Sequence, residues 1–341
     1  MSLIEAIEQF NSVSIVGMEK NTGKTTCLNY VLRCFNEQRK KIALTSVGVD
    51  GEERDILYDT PKPRIVLHEG MVFITSEKDF EQRELPAELL SVSERATPLG
   101  RLVTARAKGS GRVVLSGPSD SVWLQEVIAA MYAYNVEITL VDGALSRMSL
   151  ASPAVTDAMI LCTGAVCSPH LSKVIDKTKF RCRLIDLEQV ENNVQKRLLP
   201  VENDVWQRNE ACNEWEKIGD SVFTLENNAE KWLKCMGVIY VSGAVTNRFL
   251  DLLSVKGRKP VELIIRDFTK LFVEPTTLDK FTKRGGNIKV LQKAKLLAIC
   301  TNPVSPEGIY MNPIVLREKI QEALQLPVYD ILEIEKNCIT S

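Results

Sequence analysis

Between residues 12 and 37 the chain passes from a β-branched stretch ending in glycine, Ser12 to Gly17 (SVSIVG), through a polar loop into a segment with helical spacing. Leu28, Val31, Leu32 and Phe35 recur in that segment as on one helix face, and the preceding run has the composition of a buried strand. The join reads Gly17-Met-Glu-Lys-Asn-Thr-Gly-Lys-Thr-Thr26. A strand, a glycine-bearing loop and a helix opening on Gly-Lys-Thr place consecutive backbone N–H groups and a helix N-terminus around one point, the arrangement that attracts phosphate. Lys24 is expected to reach β- and γ-phosphate oxygens, Thr25 to offer its hydroxyl to Mg2+, and Gly23 to let the backbone approach closely. Gly17, Lys20, Asn21, Thr22 and Thr26 complete the expected loop lining. The run Lys41 to Ser46 (KIALTS) reads as the next strand, so the order predicts a βαβ unit in a mostly parallel sheet flanked by helices.

The 341 residues suggest two domains, or one with insertions, at roughly 150 residues per domain. Lys plus Arg number 43 and Asp plus Glu 44, a balance that gives no bulk electrostatic reason to expect nucleic acid as a partner. Mean hydropathy is near zero, and no apolar run approaches the ~18 residues of a membrane span. The start, MSLIEAIEQF, lacks the basic and apolar regions of a signal peptide and reads as an amphipathic helix with Ile4, Ile7 and Phe10 on one face. A cytoplasmic location is therefore expected. The nine cysteines form no Cys-x-x-Cys pair, and most are expected to be buried free thiols; Cys162 and Cys167, the closest pair, read as packing residues near a strand end. With only His68 and His170 available, a histidine-based zinc site has almost nothing to work with, and both read as surface or turn residues.

The order of elements divides the chain into a phosphate-loop α/β core over 1–175, a charged helical insertion over 176–235 that carries Trp206, Trp215 and Trp232, and a C-terminal α/β segment over 236–341 continuing the same sheet. Within the core, 61–118 reads as an insertion rich in β-hairpins, with the turn signal Lys108-Gly109-Ser110-Gly111 between two strand-like runs.

Two acids suit a magnesium shell. Asp142 ends the apolar run Ile138 to Val141, and Asp50 follows the second strand in TSVGVDGEE, with Glu52 a weaker candidate. No Asn-Lys-x-Asp motif for reading guanine occurs, which favours ATP; Asn302, in Thr301-Asn302-Pro303 after the strand LLAIC, is placed to edge the base or to form a loop turn.

The loop has five residues, Met18 to Thr22, between its glycines where the usual pattern has four. In this it resembles dethiobiotin synthetase and the cobyric acid synthase group. Longer phrases go further: IVGMEKNTGKTTCLN (15–29), ALTSVGVDGE (43–52), TPLGRLVTARAKGSGRVVLSGPS (97–119), VDGALSRMSLASPAV (141–155) and TNPVSPEG (301–308). In this order they resemble the P-loop subunit of the lysine 5,6-aminomutase or ornithine 4,5-aminomutase reactivating factor of amino-acid-fermenting bacteria, over roughly 13–155 and 236–332. The resemblance implies a P-loop NTPase with slow ATP hydrolysis stimulated by a partner. It also implies Mg2+ and ATP as cofactors, an actin-like ATPase reactivase subunit as partner and an adenosylcobalamin-dependent aminomutase as client, from which damaged cobalamin is exchanged. Lys24 and Asp50 then fall at catalytic positions, and Thr25, Asp50 and Asp142 at the metal. The Asp-x-His-x-x-Gly motif that ligates cobalt is missing, so cobalamin is not expected on this chain by that route. Two other readings stand beside this one. The first is an ATP-dependent synthetase of the dethiobiotin synthetase type, with Arg106 or Ser146-Arg147 supplying charge for a substrate. The second is a non-hydrolysing, nucleotide-sensing assembly factor.

Overall fold

The computed structural model describes residues 2–48, 65–118, 120–144, 155–209, 214–227, 237–255, 260–330 and 332. The chain forms two compact units, one of residues 1–179 and 295–341, the other of 180–294.

In the first unit a short helix, α1 (Leu3–Ile7), opens on a capping box in which Ser2 and Glu5 bond each other's backbone. It is followed by β1 (Ser12–Gly17), α2 (Lys24–Glu37), β2 (Ile42–Ser46), β3 (Ile65–Leu67), β4 (Val72–Ser76) and α3 (Glu77–Glu81). Next come β5 (Ala87–Thr97), β6 (Gly100–Ala107), β7 (Gly111–Val113), α4 (Ser121–Ala130), β8 (Ile138–Ala144), β9 (Ala158–Gly164) and α5 (Leu171–Ile185), within which the chain crosses into the second unit. The nine-stranded sheet has the order β19-β18-β9-β1-β8-β2-β4-β6-β5, where β18 (Leu296–Asn302) and β19 (Val328–Asp330) come from the C-terminal stretch. It is parallel from β19 to β4, and β6 and β5 add an antiparallel edge. Every residue of β1, β2 and β9 is buried, as strands covered on both faces by helices must be. On one face α1 and α2 press Leu3, Ile7, Leu28, Leu32 and Phe35 against Ile15, Leu140 and Ile160. On the other, Trp123 and Leu124 of α4 meet Ile74, Leu102 and Val141. The α/β architecture expected from the alternation of elements is the one observed.

The hairpin insertion forms, but with different partners. Lys108 to Gly111 joins two strands that do not pair: β6 pairs with β4 and β5, and β7 pairs with β3. The hairpin turns instead at Pro98-Leu99, where Thr97 faces Gly100 at φ +98°, a conformation that favours glycine. β5 escapes an alternation search because it is an edge strand with two register breaks and largely exposed side chains.

The second unit differs from the expected helical insertion. After α5 it contains β10 (Glu188–Gln189), a helix over Asn192–Leu198, β11 (Val205–Arg208), β12 (Trp215–Gly219) and a helix over Val222–Asn227. β13 (Val238–Val241), β14 (Val245–Thr246), β15 (Glu262–Ile265), β16 (Leu271–Phe272) and β17 (Asn287–Val290) complete its strands. They build a separate six-stranded sheet, β10-β17-β15-β13-β11-β12, so the expectation that 236–341 continues the first sheet holds for β18 and β19 alone. The strands β11 and β12 were hidden by their shortness and by charged, outward-facing Glu216 and Lys217; Trp206 and Trp215 pack on the core around Tyr240, Ile264 and Leu291. Trp232 lies outside the described residues.

Candidate functional site

The segment after β1 wraps tightly around its own glycine. A Cβ on Gly17 would sit 2.4 Å from Thr22 Oγ1 and 2.9 Å from Lys24 Cγ, so the loop closes only because that position is bare. Gly23 at φ +88° is the N-cap of α2, and a Cβ there would meet Asn302 Cβ at 3.1 Å. Both glycines are thus required by geometry, one by close approach and one by backbone conformation.

Four contacts hold the loop. Met18 N donates to Cys162 O on β9 at 2.9 Å. Thr22 is buried, and its hydroxyl donates to Glu19 O at 3.0 Å, so that side chain braces the loop from within. Asn302 Nδ2, at the end of β18, donates to Asn21 O at 3.0 Å, while its Oδ1 accepts from Val304 N at 3.2 Å. Lys177 of α5 pairs with Glu19 at 3.1 Å and also reaches Cys167 O. Lys20 is exposed, and Thr25 and Thr26 are half-buried in the first turn of α2. The N–H groups of a first helical turn have no partner within the helix.

Lys24 Nζ lies 3.2 Å from Asp142 Oδ1, and both side chains are 21% exposed. Asp142 is set by β8, where it stands between Ile15 and Ser46 of the neighbouring strands. Its carbonyl accepts from Val47 N at 3.1 Å and Ser46 Oγ at 3.3 Å. The site therefore occupies the carboxyl ends of β1, β8, β9, β2 and β18, the edge where open parallel sheets place ligands. β2 leaves this edge beside Gly117, which admits no Cβ because one would lie 1.7 Å from Ser46 O.

Loop, Lys24, Thr25, Asp142 and Asn302, up to 281 residues apart, are thus brought together. Asp50 and Glu52 lie outside the described residues, as do Ser146 and Arg147. Arg106 stands opposite Val72 at the start of β4, away from the carboxyl ends, which removes it as a substrate contact at this edge. His170 is exposed in a turn; His68 is half-buried before Gly70, its pKa lowered by burial and by Arg33. Among the described residues no cluster of three or more His, Cys, Asp or Glu is placed to hold a metal by itself.

One feature was invisible in the sequence. Cys162 is buried near a strand end as expected, but its neighbours are Cys27 of α2 and Cys300 of β18 rather than Cys167. Cys27 Sγ and Cys300 Sγ are 3.5 Å apart. Hydrogen bonds from Cys27 and then Cys300 pull the Cys162 thiol down to about 5, with Lys24 adding a smaller effect, and the other two thiols are pushed up. The signal that could have found the cluster is the register of β9 and β18, which seats Cys162 beside Cys300.

Chemically, the site offers a helix N-terminus, a lysine ammonium, a hydroxyl and a carboxylate around one edge, a set suited to a polyanion with a divalent cation. No protein-family model matches the chain, and no curated protein or solved structure matches it.

Proposed function

We propose that the chain is a slow ATPase that works as a switch, the P-loop subunit of a factor that reactivates an adenosylcobalamin-dependent lysine or ornithine aminomutase. The observation that carries the nucleotide half is the loop from Gly17 to Thr26, closed between β1 and α2, with Lys24 facing Asp142 at 3.2 Å. The client half rests on the sequence resemblance.

In this reading the phosphates lie against the start of α2, and Lys24 holds the β- and γ-phosphate oxygens. Lys24 must then leave Asp142, so one event both engages the lysine and releases the carboxylate. Mg2+, held through Thr25 and Asp142, would neutralise charge on the β- and γ-oxygens. Asp142 is braced by Ser46 and Val47 at the end of β2. A change at the phosphates is thereby passed to the strand whose continuation carries Asp50, proposed to orient water. Loss of the γ-phosphate relaxes both contacts, the usual logic of a nucleotide switch.

The test is a release assay. An aminomutase loaded with inactive cobalamin is mixed with this protein, its actin-like partner and Mg·ATP, and free cobalamin is followed by absorbance. Release that requires ATP and is lost in Lys24→Ala is the expected result. No release, with ATP turnover stimulated instead by a small carboxylate or amine, would replace this reading with the synthetase one.

A further inference from the structure

Three thiols from three separate segments converge under the loop, and each is tied to one of its anchors. Cys27 follows Lys24 by three residues in the first turns of α2. The carbonyl of Cys162 receives Met18 N. Cys300 precedes Asn302, the loop's clamp, by two residues on β18. All three are at most 2% exposed, and the Cys27 and Cys300 sulfurs are in contact at 3.5 Å. A free cysteine often serves as a small apolar filler. Here, though, a covalent bond between two of these fillers would alter the position of the loop's lysine relative to its asparagine clamp.

We propose that Cys27 and Cys300 are an oxidation site at which hydrogen peroxide forms a disulfide, locking the first turns of α2 to β18 and weakening nucleotide binding at the loop. The first step transfers one peroxide oxygen to a sulfur, giving a sulfenic acid and one water. The second thiol then displaces the sulfenic oxygen, forming the S–S bond and a second water. The sum is two thiols plus one peroxide giving one disulfide and two waters, whichever sulfur reacts first. Closing the bond brings the sulfurs from 3.5 Å to about 2.05 Å. That approach of nearly 1.5 Å is shared between rotation of the two cysteine side chains and movement of α2, of β18 or of both. β18 is held between β9 and β19, so the backbone part of the shift falls mostly on α2 and the loop at its start. Burial restricts the reaction to an oxidant of about the size of water, which peroxide is. The effect on nucleotide binding rests on the function proposed above; the formation of the disulfide does not.

The full-length protein is treated with hydrogen peroxide, blocked and digested with trypsin, and the linked peptides are identified by mass. Cys27 lies in peptide 25–33, Cys300 in 296–317, and Cys162 together with Cys167 in 148–173, so the 27–300 link has a mass of its own. ATP affinity is measured before oxidation, after it, and after dithiothreitol. The expected result is a 25–33 to 296–317 link, an affinity about tenfold weaker, equivalent to about 1.4 kcal/mol, and recovery with dithiothreitol. In Cys300→Ala the link and the peroxide effect both vanish, each variant being compared with its own reduced state. A link that contains peptide 148–173, or none, overturns the site; a 27–300 link with unchanged affinity overturns the lock. If the reduced protein binds no ATP, the proposed function fails while the peptide map still decides the disulfide.

Discussion

Asn302 offers the sharpest test of how the loop is held. Its side chain makes two hydrogen bonds, to Asn21 O and from Val304 N, at 3.0 and 3.2 Å. The sequence left it either at the edge of a base or in a loop turn; in the structure its side chain clamps the loop backbone and accepts from Val304 N. Replacing it by alanine removes both bonds and strands a part-buried carbonyl, at a cost of about 1–2 kcal/mol. If that cost falls on the closed loop, every phosphate ligand is weakened by the same factor, about 5- to 30-fold at 1.4 kcal/mol per decade. The assay is calorimetric titration of Asn302→Ala with ATP, GTP and inorganic tripolyphosphate. A clamp lowers all three affinities together, tripolyphosphate included, although it has no base. Asn302→Asp sharpens the contrast, because it retains the acceptor for Val304 N and turns an oxygen toward Asn21 O. Loss confined to ATP, with tripolyphosphate unaffected, would refute the clamp and restore the base-reading role.

Lys24→Ala is expected to abolish hydrolysis while moving the melting temperature little, because the partly exposed pair with Asp142 contributes about 1 kcal/mol; turnover and a thermal melt check both. Asp142→Ala should remove Mg2+-dependent hydrolysis while tripolyphosphate still binds, since the lysine and helix start remain; activity in excess Mg2+ equal to wild type would count against a metal role. Phe35, fully buried on α2, should cost about 3–5 kcal/mol as alanine, read by chemical denaturation. The Arg101 side-chain and backbone hydrogen bonds hold Glu77 below its ordinary value of 4.5. A depressed carboxylate stabilises the fold above its unfolded pKa and loses that effect as pH falls through the folded one. The stability gap between wild type and Glu77→Gln should therefore be constant above about pH 4.5 and shrink below it; a gap unchanged down to pH 3 would contradict this.

The elements around the site were readable because one pattern served two purposes. The run SVSIVG followed by Gly23-Lys24 announces both a buried strand and the anion-facing start of a helix, and β1 and α2 fall where that pattern places them. Asp142 was legible for the same reason, as the acid that ends an apolar run. What could not be read depends on neighbours chosen in three dimensions. Residues 108–111 have the chemistry of a hairpin turn, yet β6 finds β5 through Pro98-Leu99. β13, β15 and β17 look like β18 in composition, and nothing in a run such as VELIIRD says which sheet accepts it. Cys27, Cys162 and Cys300 lie 135 and 138 positions apart, and only the order β18-β9-β1 makes them one cluster. The same order explains why Asn302 turned out to be a clamp: β18 ends level with Gly164, which leaves no room for a Cβ beside Asn302 O.

The placement of residues 180–294 between β9 and β18 has a consequence during synthesis. These two strands are side by side in the finished sheet, but 131 residues separate Gly164 from Leu296. At a translation rate of about 5–20 residues per second, β9 emerges roughly 7–26 seconds before the strand that will cover it. Throughout that interval the apolar run AMILCTG forms the open edge of a growing parallel sheet, with its row of backbone donors and acceptors unpaired. The nascent chain therefore has a defined interval in which it is prone to stick to other chains. The second unit, which folds from contiguous residues, sets how long that interval lasts.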